Sequence, residues 1–181
     1  LSITGNEKIK KIKTVNPAKI IWETDAIYHS FVMSDGDNMQ WTLGSFINNP
    51  DFWSNEHNGN VPMAFTTCMI NLSMAAPDVL DVLMKSQPRN VSLAEYGGGY
   101  YYPDLFASKR PHREELLREF ARIVNVHMQK IGIKVFGFIC HKLDSKEALE
   151  AYRIFAEELN GIAGMIAVQY SPYNVGYGKV F

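Results

Sequence analysis

Five times along this chain a short apolar run gives way to a segment that reads as a helix or a polar loop, and that rhythm limits the fold more than any other feature. Apolar runs read as strands at Ala26 to Ser34, Val61 to Cys68, Val91 to Tyr96, Val135 to Cys140 and Ala163 to Tyr170. Between them, the spacing of apolar residues predicts helices over Asn38 to Asn48, Pro77 to Lys85 and Arg113 to Ile131, and from Asp144 to about Leu159. Pro77 suits a first helical turn, and Gly132 stands where a helix would stop. Asp144 with Glu147 three residues later reads as a capping box. In the third helix, Leu116, Leu117, Phe120, Ile123, Val124, His127 and Ile131 form the expected buried face.

Strands without polar alternation, separated by helices, are buried on both faces and therefore parallel. The expected class is α/β: repeated βα units with parallel strands, barrel-like and incomplete. An open doubly wound parallel sheet is the alternative. A closed eightfold barrel takes about 250 residues, and the chain has 181, ending in what reads as a loop from Ser171 to Phe181. The expected organisation is a lead-in over residues 1–25 and a β/α domain over 26–181, cut short at its C-terminal side, with other domains in a longer parent chain.

Composition removes several function classes. Lys and Arg number 18 against 19 acids, with no basic stripe beyond the short Lys8 to Lys13 stretch, so no nucleic-acid partner is expected. No apolar run is long enough for a transmembrane span. Cys68 and Cys140 read as buried thiols, not as a disulfide framework. His29 and His57 lack a zinc-ligand spacing, while His112 and His127 fall on a helix start and a helix face. No cofactor and no metal are called for.

Parallel β/α folds place ligands at the C-terminal ends of their strands, which shortens the search. The first strand ends in Ser34-Asp35-Gly36-Asp37-Asn38, where Asp35 and Asp37 offer paired carboxylates. Asp37 with Gln40 also fits a capping box; Asp35 is not accounted for that way. The second strand ends near Thr66, Thr67 and Cys68, with Asn71 beyond. The third ends in Glu95, an acid at a strand end. It runs into Gly97-Gly98-Gly99-Tyr100-Tyr101-Tyr102-Pro103-Asp104, where glycines free the backbone and tyrosines offer flat faces with hydroxyl tips suited to sugars. That spacing matches neither the P-loop nor the dinucleotide fingerprint. The fourth strand ends in His141, and the fifth in Tyr170 to Asn174 with Tyr173. Trp41 and Trp53 serve either as stacking platforms or as core.

The segment Gly97 to Pro103 fits the pattern G-x-G-Y-x-Y-P at every fixed position, and Phe31 to Asn38 is similar to a second stretch of the same family. From Ile27 onward the chain resembles the C-terminal domain of the GxGYxYP family, whose assignment to glycoside hydrolases is inferential and whose members are common in gut Bacteroidetes. The resemblance implies a carbohydrate substrate and a periplasmic or extracellular setting, and it supplies no catalytic residues.

The leading expectation is a glycoside hydrolase with Glu95 as acid and Asp35 as its partner. Asp37 supports the pair, and Asn38, Tyr100, Tyr102, Asp104, His141, Tyr170 and Tyr173 hold the sugar. The alternatives are a metal-dependent polysaccharide deacetylase using Asp35, Asp37 and His141, and a carbohydrate-binding domain without catalysis.

Overall fold

The structure is a computed structural model, and it describes residues 11–14, 16–33, 39–169 and 178–180. Its elements are β1 (Val32–Met33), α1 (Met39–Trp41), β2 (Met63–Thr67), α2 (Met69–Ala75), α3 (Pro77–Ser86), β3 (Val91–Tyr96), α4 (Arg113–Ile131), β4 (Val135–Cys140), α5 (Lys146–Glu158), β5 (Gly164–Gln169) and β6 (Gly178–Val180). The six strands form one sheet in the order β1-β2-β3-β4-β5-β6. The first five are mutually parallel, and β6 runs antiparallel to β5.

Strand order decides between the two expected architectures. A doubly wound sheet needs a reversal of order at a switch point, and β1 to β5 follow one another without reversal. Right-handed crossovers then lay every helix on the same side. The result is a curled half-barrel of repeated β/α units. The tail expected to be loop contributes β6.

Alternation along each strand divides the sheet into two faces. On β3, Val91 and Leu93 belong to the core packed under the helices. On β4, Phe136 and Phe138 stack with Phe155 of α5, at ring-centre separations of 4.8 and 5.6 Å. Phe65 of β2 meets Phe46 and Trp53. On the other, concave face, the ring of Tyr96 lies so close over β4 that a Cβ at Gly137 would stand 3.0 Å from it.

Most helix ends follow local chemistry. Pro77 opens α3 and Asp78 lies in its first turn. Gly132 closes α4 with φ of +80°, and its N–H donates to Met128 O. The cap of α5 is Ser145, whose hydroxyl accepts from Ala148 N at 3.1 Å; the expected Asp144 stands one residue too early to reach that N–H. The buried stripe of α4 is Leu117, Ala121, Val124, Met128 and Ile131, whereas Leu116 and Ile123 are exposed. Packing against α5 rotates the helix in this way, tied by Arg118, Arg122 and Arg153 to Glu114, Glu157 and Glu158. Those exposed pairs contribute little each to stability.

Two expected elements are altered. The strand expected from Ala26 is confined to Val32 and Met33, because β1 is an edge strand whose described ladder runs only to β2. The helix expected over Asn38 to Asn48 makes one α turn and widens into a π-helical stretch, Thr42–Phe46. Where the chain enters, Ile12 is buried and its N–H donates to Ile131 O at 2.9 Å, while the Gln87 amide bonds Lys13 N and Lys13 O. Among the described residues no helix is long and apolar enough to cross a membrane.

Candidate functional site

The loop after β3 is shaped by three consecutive glycines with positive φ: Gly97 at +80°, Gly98 at +75° and Gly99 at +130°. A Cβ on Gly98 would lie 3.0 Å from Val124 Cγ2 and 3.4 Å from the Phe120 ring tip, so the loop backbone rests directly on α4. Both demands, handedness and closeness, exclude a side chain. The chain then alternates. Tyr101 turns inward, its ring between Phe106 and Phe120 at 5.8 and 4.9 Å. Burial pushes its hydroxyl pKa well up. Tyr100 and Tyr102 face outward as an edge-to-face pair, with ring centres 5.9 Å apart and hydroxyls 3.2 Å apart.

Asp104 fixes the far end of this loop. Its side chain is buried, and its two oxygens accept from His141 N at 3.0 Å and Lys142 N at 2.9 Å. The expected sugar ligand is therefore a clasp between the loop and the end of β4. It carries His141 and Lys142, both exposed, into a cleft of about 410 Å3. Leu105, Ser108, Arg113, Ser145 and Glu147 also line that cleft. Arg113, which the sequence marks only as the start of a helix, pairs with Glu150 and donates to Pro103 O at 2.9 Å. Only the tertiary fold brings it under the loop.

Glu95 lies on the helix side of β3, with Val91 and Leu93, and has no exposed surface. Its Oε2 accepts from Ile70 N at 2.8 Å and its Oε1 from Gly98 N at 2.9 Å. The carboxyl thus caps the first turn of α2, where Cys68 offers no side-chain cap, and holds the glycine loop. Burial pushes its pKa from 4.5 up to about 7 against the lowering pull of these N–H donors. The acid expected to meet substrate is turned away from the strand-end cleft and both oxygens are engaged. Nearby, Thr67 faces Glu95 in the ladder, and Tyr101 lies close enough for the Glu95 charge to help raise its pKa. The Thr67 and Tyr101 hydroxyls and Asn71 Oδ1 are buried without a hydrogen-bond partner among the described residues.

The remaining expected residues divide plainly. Tyr100 pairs with Tyr102, and Asp104 further along the same loop joins His141 at the end of β4. Asp35, Asp37, Asn38, Tyr170 and Tyr173 lie outside the described residues. Trp53 is core, and Trp41 packs on Phe46 and Phe52. Both cysteines are buried thiols outside any disulfide, and burial pushes the Cys140 thiol to about 12. No group of three or more His, Cys, Asp or Glu among the described residues is arranged to hold a metal ion.

No curated protein and no solved structure matches the chain. One family model does, over residues 25–180, and its description is "GxGYxYP putative glycoside hydrolase C-terminal domain". The match takes in the glycine loop, the tyrosine pair and nearly the whole half-barrel, and the chain belongs to the GxGYxYP family.

Proposed function

We propose that this domain binds a poly- or oligosaccharide across the strand-end face and serves a glycoside hydrolase. The observation that carries the reading is the outward pair Tyr100 and Tyr102, set on a glycine loop at the C-terminal edge of a parallel sheet. Two tyrosines set edge to face offer a ring face for a pyranose and a hydroxyl for its oxygens. His141 and Lys142, held by Asp104 of the same loop, supply polar partners in the cleft at the end of β4.

The catalytic carboxyls in this proposal are Asp35 and Asp37. One protonates the leaving oxygen while the other acts as nucleophile or as base for water. Glu95 then orders the platform from beneath and does not touch sugar. Asn38, Tyr170 and Tyr173 complete the hydroxyl contacts.

A second reading, sugar binding without hydrolysis, is favoured by one fact: the acid at the end of β3 is spent as a cap. One experiment separates the two. Wild type, Asp35→Asn and Tyr100→Ala/Tyr102→Ala are assayed for binding and for release of reducing ends on a polysaccharide panel. The hydrolase reading expects turnover by wild type, none by Asp35→Asn with binding kept, and loss of both in the tyrosine variant. Binding without turnover by wild type selects the second reading. Undiminished binding in the tyrosine variant overturns both.

A further inference from the structure

Among the described residues, a run of exposed apolar side chains lies far from the tyrosine pair in sequence, on the segment that leads into β1. Ile21 is 86% exposed, Ile27 84% and Trp22 66%, and Tyr28, Phe31 and Val32 are exposed beside them. Monomeric proteins rarely leave contiguous apolar surface of this kind uncovered. The segment is also partly organised. Trp22 and Tyr28 pack edge to face at 4.9 Å, and the Tyr28 hydroxyl accepts from Glu23 N. It delivers the chain to β1, which among the described residues has a strand on one side only; at the other end of the parallel winding, β5 is covered by antiparallel β6.

We propose that this stripe is the docking surface for the domain that precedes residue 25 in the parent polypeptide. Three observations select that occupant. The family model begins at residue 25 and is described as a C-terminal domain, so the stripe straddles the boundary. Every parallel strand in the sheet pairs with the one before it in sequence, and by the same rule the structure seated beside β1 comes from earlier in the chain. Residues 20–33 contain no Lys or Arg and include Glu23 and Asp25, which suits a protein surface and opposes an anionic lipid one. The entering chain is also pinned at Ile12 and Lys13, which holds a preceding domain close to the stripe. A tethered partner works at an effective concentration of roughly millimolar, so a modest apolar patch is enough.

Trp22 reports on the interface directly, because Trp53 is buried and Trp41 half-buried. The experiment compares acrylamide quenching and amide exchange over residues 20–32 in this chain and in the parent polypeptide. Trp22→Phe in each assigns the signal. The expected result is strong quenching of Trp22 in this chain, shielding to the level of Trp53 in the parent, and protected amides there. In the parent, Ile27→Ser/Phe31→Ser should restore quenching while both domains stay folded by circular dichroism. Trp22 equally quenched in both proteins would overturn the proposal. So would shielding in this chain alone with a dimeric mass in solution, which would assign the stripe to a second copy. Sugar binding at the tyrosine pair is measured separately, and neither result depends on the other.

Discussion

Replacing Glu95 by Gln tests the account of the buried cap most directly. The wild-type carboxyl titrates at about 7 in the folded state and at its ordinary 4.5 when unfolded. Between those values the folded state holds the extra proton, so stability falls as pH rises through the window. The difference corresponds to about 3 kcal/mol, present in full below pH 4.5 and gone above pH 7. Gln does not titrate. Its amide oxygen can accept from one of the two donors, Ile70 N or Gly98 N, but its NH2 faces the other, at about 1–3 kcal/mol for the unpaired N–H. Wild type should therefore be the more stable protein at pH 4.5, and the lead should shrink by about 3 kcal/mol by pH 8, to parity or reversal. The nearby Tyr101 and Cys140 have raised pKa values and stay neutral across this range. Urea denaturation of both proteins at intervals from pH 4.5 to 8 gives the comparison. A difference that is flat with pH, or that grows as pH rises, would refute the reasoning.

Asp104→Ala should remove two charge-assisted bonds to His141 N and Lys142 N, lowering stability by about 2–4 kcal/mol in denaturant titration. It should also weaken sugar binding although Tyr100 and Tyr102 remain. Gly98→Ala should cost about 1–3 kcal/mol, from its φ of +75° and its 3.0 Å approach to Val124. Gly44→Ala, whose new Cβ meets nothing within 4 Å, should be neutral or slightly stabilising. Equal thermal midpoints for the two alanine variants would mean that the loop does not rest on α4.

The interior of the fold was the legible part. β3, α4 and β4 have the bounds their patterns predict, since long apolar periodicity and a terminal glycine leave few alternatives. The short helix α2 was not legible. Cys68 gives no side-chain cap, and the group that satisfies the first turn is Glu95, 25 residues further on. The placement of Glu95 was not legible for the same reason. A strand-end acid in sequence says nothing about which face it takes, and the helix-facing register with Val91 and Leu93 decides it. The tyrosine run was half legible. Its aromatic richness pointed to a platform, but the strict alternation that sends Tyr101 into the core follows only from the loop's seat on α4.

The two carboxylate clasps have a consequence for how the chain assembles. Glu95 of β3 completes α2, which belongs to the unit before it, and Asp104 from the loop after β3 secures the end of β4 in the unit after it. Two units are thus finished by a residue from a neighbour along the chain, while all parallel pairing among the described strands stays between sequence neighbours. The strand order is simple, but each parallel pair must close a loop of tens of residues before its ladder forms, which is a slow step. Yet a half-made intermediate ending at Ser86 would carry a helix whose first turn is unsealed, and it stays so until Val91–Tyr96 arrives. Vectorial synthesis should therefore leave α2 unlocked until β3 emerges, and the end of β4 should find its clasp already waiting in the loop before it.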